Sequence, residues 1–304
     1  MRAWLLLALL VLAGCAAPHD DFDFETCGVR PRLVIPIEMR GATPLIRATI
    51  KGQSATFVLD TGAVAVALTQ PALRRLGLAI DPRTINTVTG VGGTSQTVAG
   101  RLEGFRIGDL EVPDHKVLVL PPGSALSASG VDGLFGVSVL SVFEVELDLP
   151  HRQVTLFAGH LCPDTVAPAW AARAVVLDAS RSERGRFVVP VVLDGKLLNA
   201  LIDTGAGRSF VARDAAAAIG VTPEILARDP QLQLSGAGPQ AATVAVHRFG
   251  AVSIAGRSYP GPLFQVGERV ERGIDMILGA DYLAGRRVWL SYARRRVFIE
   301  DVSP

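Results

Sequence analysis

Two segments of the chain place a carboxylate, a hydroxyl and a glycine together at the end of an apolar run. They read FVLDTGA at residues 57–63 and ALIDTGA at residues 200–206, with the carboxylates at Asp60 and Asp203. A buried ionised carboxylate is costly unless it is paired or hydrogen-bonded. Two carboxylates within hydrogen-bonding reach share one proton and titrate as a coupled pair, which provides an acid and a base at one place. The pattern therefore predicts that Asp60 and Asp203 together activate a water molecule for attack on a carbonyl group.

The residues after each aspartate are predicted to hold this pair in position. The hydroxyls of Thr61 and Thr204 can hydrogen-bond across to the opposite turn. Gly62 and Gly205 lack a Cβ, so their backbone amides can approach the carboxylates closely. We therefore expect these four residues to support the site rather than to react.

The spacing of these segments reveals an internal repeat. Asp60 and Asp203 are 143 positions apart (203 − 60), and Asp132 in VDGLFG and Asp275 in IDMILG have the same separation (275 − 132). A repeat of this length predicts two copies of one structural unit. If the copies pack about a pseudo-two-fold axis, the two acidic turns meet on it. Asp132 and Asp275 are expected to be structural, because Asp-Gly is a common turn sequence.

The elements that must position the pair are predicted to be mostly strands. Short β-branched runs bounded by Gly, Pro or Asp-Gly predict an all-β fold with two β-barrel-like lobes and one or two short helices in each. Helices are expected between Thr69 and Gly77, at Ala215–Ala218, and directly after Gly136 and Gly279. The predicted domains are a signal peptide (1–14), an N-terminal lead (15–32), a first lobe (33–160), a linker (161–173) and a second lobe (174–304).

The doubled motif resembles that of the aspartic peptidases of the pepsin and retropepsin clan. Each DTGA is followed 72 positions later (132 − 60 and 275 − 203) by an aspartate that opens an apolar segment ending in glycine, DGLFG or DMILG. The resemblance covers nearly the whole chain after the N-terminal lead. It implies a bilobal all-β fold with a substrate cleft between the lobes. It also implies that Asp60 and Asp203 are the catalytic pair, with water rather than a metal ion as the nucleophile, and that the apolar segment forms a loop beneath each catalytic turn.

Both halves carry a glycine-rich segment where this family has a flap over the substrate. All three tyrosines lie in the second half, so the first-half hairpin lacks the tyrosine of pepsin-like flaps. The chain is therefore more similar to a retropepsin dimer fused into one polypeptide, in a bacterial lipoprotein or periplasmic form. The alternative interpretation of these segments is a pair of ordinary hairpin loops. The residues predicted to cover the cleft are Gly90, Val91, Gly92, Gly93, Gly236, Ala237 and Gly238.

The first fifteen residues are typical of a secreted protein. Arg2 precedes an apolar run that is too short to span a bilayer, which predicts a signal peptide. The run ends in LAGC, which resembles a bacterial lipobox and predicts lipidation of Cys15; an ordinary signal peptide with a chance cysteine is the alternative. The expected location is the bacterial cell envelope, with the protein anchored to the membrane by lipid and facing the periplasm. In that oxidising space Cys27 and Cys162 are predicted to form a disulfide; the alternative is that both are free thiols.

Composition and motifs argue against several other functions. The formal net charge is +1, which does not favour binding to nucleic acid or to an anionic membrane surface. No Gly-x-Ser-x-Gly motif is present, and the five histidines show no metal-ligand spacing, so neither a metal nor another cofactor is predicted. The predicted function is that of an aspartic endopeptidase that cleaves extended protein segments, as a monomer because both lobes belong to one chain. The alternatives are a non-catalytic peptide-binding lipoprotein of the same fold and an envelope scaffold.

Overall fold

The computed structural model describes residues 30–158, 167–269 and 271–302. These residues are mostly β, with 52% strand and 11% helix. No helix within these ranges is long and apolar enough to cross a membrane. The predicted signal peptide and all three cysteines, Cys15, Cys27 and Cys162, lie outside the described residues. Lipidation and the disulfide therefore remain predictions.

In the first half of the chain, the described residues form short strands and three helices of four to six residues. The strands are β1 (Arg30–Pro36), β2 (Glu38–Arg40), β3 (Thr43–Ile50), β4 (Gln53–Leu59), β5 (Ala67–Leu68), β6 (Ile80–Gly90), β7 (Gly93–Leu102), β8 (Phe105–Ile107), β9 (Leu110–Val112), β10 (His115–Val119), β11 (Gly133–Phe135), β12 (Glu144–Asp148) and β13 (Gln153–Ala158). The helices are α1 (Gln70–Arg75), α2 (Ala125–Ala128) and α3 (Val137–Leu140).

The second half repeats this series after a 3₁₀ turn at Ala171–Arg173. Its strands are β14 (Val175–Asp178), β15 (Ser180–Arg181), β16 (Phe187–Leu193), β17 (Lys196–Ile202), β18 (Phe210–Ala212), β19 (Gln231–Ser235), β20 (Ala241–Arg248), β21 (Ala251–Ile254), β22 (Arg257–Pro260), β23 (Leu263–Gly267), β24 (Met276–Leu278), β25 (Arg286–Ser291) and β26 (Arg296–Asp301). Its helices are α4 (Arg213–Ala217), α5 (Pro223–Leu226) and α6 (Ala280–Leu283).

Each half folds into a ten-stranded curled sheet, and the two sheets have the same strand order. The first runs β6-β7-β10-β5-β11-β4-β3-β8-β9, with β2 paired to β3. The second runs β19-β20-β23-β18-β24-β17-β16-β21-β22, with β15 paired to β16. Every strand in the first sheet thus has a counterpart at the same place in the second. The predicted duplication of one all-β unit is confirmed.

The ends of both halves join in a third sheet, which connects the two lobes. Its order is β1-β13-β12-β25-β26-β14, with the antiparallel pair β12 and β25 at the centre. In this pair Val145 lies opposite Leu290 and Leu147 lies opposite Val288, so Glu146 and Trp289 face each other at the midpoint. Val145 and Val288, which are 143 positions apart, lie at equal distances on either side of this midpoint, as do Leu147 and Leu290. The pseudo-two-fold axis therefore passes through the pair Glu146 and Trp289.

The apolar core follows from the alternation of side chains along these strands. In β4 the buried side of the strand includes Phe57 and Leu59, both fully buried. Phe57, Phe105 and Phe135 pack in succession, with ring centroids 5.2 and 6.2 Å apart. Burying a side chain of this size stabilises a fold by about 1.5–3 kcal/mol. The core therefore holds β4, which carries Asp60 at its end, in a fixed position.

The helices agree with the sequence prediction in four of six cases. In α1 the Thr69 hydroxyl accepts a hydrogen bond from the Ala72 amide at 3.3 Å, as its capping role requires. Helices α3 and α6 follow Gly136 and Gly279 as predicted, and α4 begins at Arg213, two residues before the predicted start. Helices α2 and α5 were not predicted. Helix α5 follows Thr222 and begins with Pro223, a start signal that the sequence does contain.

Candidate active site

The two aspartates lie at corresponding ends of two central strands. Asp60 follows β4 and Asp203 follows β17, and each strand is paired in parallel with the short strand β11 or β24 of its own lobe. The amide of Asp60 donates to the Phe135 carbonyl at 3.0 Å, and that of Asp203 donates to the Leu278 carbonyl at 3.0 Å. Each aspartate is therefore held by backbone bonds within its own lobe.

The structure brings the two carboxyl groups into hydrogen-bonding contact with each other. The glycine of each turn packs against the carboxyl group of the other half. A Cβ placed on Gly62 would lie 2.3 Å from Cγ of Asp203, and one on Gly205 would lie 2.4 Å from Cγ of Asp60. Only glycine leaves room for this approach, which explains why both turns contain it.

Thr61 and Thr204 join the two turns in the way the sequence predicts. The Thr61 hydroxyl donates to the Ile202 carbonyl at 2.8 Å, and the Thr204 hydroxyl donates to the Leu59 carbonyl at 2.6 Å. Each hydroxyl oxygen also accepts the backbone N–H of the other threonine at 3.1 Å. Both side chains are fully buried, so an unpaired hydroxyl here would be costly. These four bonds fix the spacing of the two aspartates.

Backbone amides orient each carboxyl group. Oδ1 of Asp60 accepts from the amides of Gly62 and Ala63 at 2.9 and 2.8 Å. Oδ1 of Asp203 accepts from the amides of Gly205 and Ala206 at 2.8 and 3.2 Å. The two halves thus present their carboxyl groups in the same way.

The surroundings of the two carboxyl groups nevertheless differ. Burial, followed by the negative charge of Asp203, raises the pKa of Asp60 well above its usual value. Burial also raises the pKa of Asp203, but the hydrogen bond from Asp60, two backbone amides and the Arg186 cation oppose that rise. The two groups therefore titrate as one pair that holds a shared proton, and the Arg186 cation favours the negative charge on Asp203.

Arg186 is a residue of this site that the sequence analysis missed. It is 7% exposed, and its Nη1 donates to the Gly62 carbonyl of the other lobe at 3.1 Å. Its other guanidinium nitrogen, Nη2, forms an ion pair with Glu271. The position 143 residues earlier is Thr43, so this cation has no counterpart in the first half. The difference between Arg186 and Thr43 is the sequence signal that could have identified this residue.

The segments that begin at Asp132 and Asp275 support the two turns that carry Asp60 and Asp203. The amide of Val137 donates to the Ala63 carbonyl at 2.9 Å, and that of Ala280 donates to the Ala206 carbonyl at 2.7 Å. A Cβ on Gly136 would lie 2.6 Å from the Ala63 carbonyl oxygen. The packed backbone therefore requires glycine here.

Asp132 and Asp275 are structural, as predicted. Asp132 accepts the Thr56 amide at 2.9 Å and pairs with Arg75, and Asp275 accepts the Asn199 amide at 2.9 Å and pairs with Arg269. Within the described ranges, no group of three or more His, Cys, Asp or Glu residues is placed to hold a metal ion.

The two glycine-rich segments are the tips of hairpins that meet over the aspartates. The Gly238 amide donates to the Val91 carbonyl at 3.0 Å, and the Gln240 amide donates to the Gly92 carbonyl at 3.3 Å. Of the predicted cover residues, four line the cleft, Gly92 and Gly238 lie at the contact between the tips, and Gly93 has no atoms within 4 Å of its Cβ position. The four lining residues are Gly90, Val91, Gly236 and Ala237.

A third contact to the hairpin tips comes from the loop that contains α2. The Ala125 amide of the first lobe donates to the Gly236 carbonyl of the second hairpin at 3.2 Å. Gly123 also lies against this hairpin, since a Cβ there would be 2.4 Å from the Pro239 carbonyl oxygen. The loop that contains α2 thus holds the second hairpin.

Between the hairpins and the aspartates lies a cleft of about 600 Å³. Two small apolar clusters, separate from the main core, form its walls on either side. The first-lobe wall is lined by Val88, Leu118, Leu120 and Leu134, and the second-lobe wall by Leu201, Phe210, Leu234, Ile274 and Ile277. Their apolar character was not predicted as part of the site, because core and cleft residues have the same alternation along a strand.

Comparison with known proteins agrees with this geometry. The family model for aspartyl proteases matches the chain twice, at residues 46–139 and 189–282. The two matches begin and end 143 positions apart (189 − 46 and 282 − 139), which is the spacing of Asp60 and Asp203. The comparison with curated proteins gave no significant match. The chain belongs to the aspartyl protease family, with two copies of its retropepsin-like unit in one polypeptide.

Proposed function

We propose that this protein is an aspartic endopeptidase that hydrolyses peptide bonds in extended protein segments. The observation that carries this proposal is the contact between the Asp60 and Asp203 carboxyl groups on the floor of a cleft, held by the reciprocal threonine bonds. A structural role alone would not require two adjacent carboxyl groups that repel each other when ionised.

The Arg186 cation near Asp203 assigns the roles of the two carboxyl groups. A water molecule held between them loses a proton to the Asp203 carboxylate while its oxygen attacks the peptide carbonyl carbon. The protonated Asp60 donates a hydrogen bond to the carbonyl oxygen and passes its proton to it as the tetrahedral intermediate forms. Collapse of that intermediate breaks the C–N bond, and the proton on Asp203 goes to the leaving amine. The proton on the intermediate's hydroxyl returns to Asp60, so the pair ends as it began.

The walls and roof of the cleft support a peptide substrate. Apolar side chains on both sides can bury the side chains next to the scissile bond. The two hairpins offer backbone groups along an extended segment and exclude bulk water, which strengthens the electrostatic interactions at the carbonyl.

The proposal is tested by digesting a peptide library with the native chain and with Asp60→Asn, from about pH 3 to pH 8, a range that covers the titration of ordinary and raised carboxyl groups. We expect the native chain to cleave and the variant to lose activity by about 10²–10⁴-fold, the usual contribution of a general acid or base. The asparagine Oδ1 can still accept the Gly62 and Ala63 amides, so a circular dichroism spectrum like that of the native chain is expected.

Two results would count against the proposal. Equal cleavage by the native chain and Asp60→Asn would show that the pair is not catalytic. Tight peptide binding without cleavage at any pH would instead favour the non-catalytic peptide-binding alternative.

A further inference from the structure

The cleft is lined by charged side chains besides the aspartate pair. Apart from the two aspartates, five charged side chains line it: Arg184, Arg186, Arg208, Glu271 and Asp275. Both carboxylates in this set are already paired, Glu271 with Arg186 and Asp275 with Arg269. Arg184 and Arg208 are exposed, and neither side chain forms an ion pair with a carboxylate of the described residues. The lining therefore contains two arginine side chains without a carboxylate partner among the described residues.

The backbone at Arg208 is fixed on one side of the aspartate pair. It directly follows the second catalytic turn, and the next residue, Ser209, donates its amide to the Asp281 carboxylate at 2.9 Å. The preceding residue, Gly207, faces the first lobe, because a Cβ there would lie 3.8 Å from Cβ of Ala42. The counterpart of Arg208 in the first half is Ala65, which lines the cleft but has no charge.

The backbone at Arg184 is fixed on the other side of the aspartate pair. It belongs to a tight turn in which the Gly185 amide donates to the Ser182 carbonyl at 2.9 Å. Two residues later, Arg186 reaches the Gly62 carbonyl in the catalytic turn of the first lobe. The pseudo-two-fold axis exchanges this catalytic turn with the one next to Arg208. The two free cations therefore lie on opposite sides of the aspartate pair.

An extended peptide that crosses the aspartate pair places its central side chains between apolar walls and its flanks near these arginines. Guanidinium groups bind carboxylates with charge-assisted hydrogen bonds. We propose that the cleft selects peptides with acidic side chains on the flanks of an apolar cleavage site, through Arg184 and Arg208. The effect of this selection on cleavage rests on the proposed endopeptidase function.

The test compares peptides that share one apolar cleavage site and carry Glu, Gln or Lys at the flanking positions. Because each contact is solvent-exposed, we expect the native chain to prefer Glu over Gln by about two- to fivefold in kcat/KM for each cation. The preference falls with added salt, and it fades below about pH 4 as the peptide carboxylates protonate.

Three variants locate the effect. Arg208→Gln and Arg184→Gln are each expected to remove the preference on one flank of the peptide and to keep it on the other. Arg228→Gln is the matched control, because it removes one positive charge from an exposed loop of the same lobe away from the cleft. It is expected to keep both preferences. Equal losses in all three variants would assign the effect to net charge and overturn the proposal.

Binding of labelled peptides to Asp60→Asn, followed by fluorescence anisotropy, separates this inference from the proposed function. If the native chain cleaves Glu, Gln and Lys peptides equally and binding shows no order, the selection is wrong and the endopeptidase function stands. If nothing is cleaved but binding follows the order Glu, Gln, Lys, the selection stands and the proposed function fails. No cleavage and no order in binding would overturn both.

Discussion

At the scale of residues, the buried Arg186 makes the aspartate pair asymmetric. Its guanidinium bridges the Gly62 carbonyl of one lobe and the Glu271 carboxylate of the other, beside Asp203. A cation near a carboxyl group favours its ionised form. The first half offers only Thr43 at the matching position, so Asp60 receives no such support. Arg186 is therefore a positioning residue that favours the negative charge of the pair on Asp203.

This role of Arg186 predicts a shift in the pH dependence of cleavage. In Arg186→Gln/Glu271→Gln, which leaves no unpaired buried charge, the pKa values of the pair rise because the nearby cation is gone. Both the acid and the basic limb of the kcat/KM profile then move to higher pH. Glu271→Gln alone keeps the cation and removes a negative charge, so its limbs move to lower pH or stay in place. A lower kcat with unmoved limbs in the double variant would show that Arg186 is merely structural.

The sequence predicts the residues of the site that occur twice. Asp60 and Asp203 could be identified because each begins the same Asp-Thr-Gly motif at matching positions of the repeat. Two unrelated turns would not be expected to match in this way. Arg186, Arg184 and Arg208 lie in the same cleft but have Thr43, Gly41 and Ala65 as counterparts. The sequence around a single arginine does not show which residues it will contact, because those residues come from the other lobe.

At the scale of elements, the roof of the cleft is built from unequal parts. The first hairpin has strands of 11 and 10 residues, and the second has strands of 5 and 8. The shorter hairpin is held both by the tip of the longer one and by the loop of α2, a helix without a counterpart among the described residues of the second lobe. The glycines indicated where the hairpins turn. The contact with α2 could not be predicted, because it joins segments that are distant in the sequence.

The contact between the hairpin tips predicts different effects for two neighbouring glycines. Gly92 and Gly93 have positive φ angles of 93° and 100°, so alanine strains the backbone at both positions. A Cβ on Gly92 would lie 1.7 Å from the Gln240 carbonyl oxygen, whereas one on Gly93 would meet nothing within 4 Å. Gly92→Ala must therefore separate the tips. We expect it to raise KM about tenfold, which corresponds to a loss of about 1.4 kcal/mol of substrate binding.

Gly93→Ala is the control for this experiment, since it adds the same strain without the clash. Its KM is expected to stay within about threefold of the native value, a loss below about 0.7 kcal/mol. Steady-state kinetics on one peptide measures both variants. Equal KM values in the two variants would contradict a role for the contact between the tips.

At the scale of the whole molecule, one chain supplies both halves of the site and the sheet that joins them. The central pair β12 and β25 crosses the pseudo-two-fold axis, and Trp289 on that axis donates its indole N–H to Glu144 at 2.9 Å. The repeat in the sequence was enough to predict two lobes. It did not show that the first and last strands of each half leave their own lobe to form the shared sheet.

The predicted lipid anchor would keep this molecule close to a membrane. Cys15 precedes the start of β1 by 15 positions (30 − 15), and a chain of that length spans at most about 50 Å. Cys15→Ser is expected to release the protein from the membrane fraction of the cell, whereas Cys27→Ser, the control, is expected to leave it there. An unchanged distribution of Cys15→Ser would refute the anchor.

The central claim is that Asp60 and Asp203 act as one unit formed by both halves of the chain. It is tested most directly by measuring kcat/KM for Asp60→Asn, Asp203→Asn and the double variant on one cleaved peptide. Because residues that act as a unit are not additive, each single variant should lose about as much activity as the double variant. A single variant with nearly native activity, or losses that multiply in the double variant, would contradict the claim.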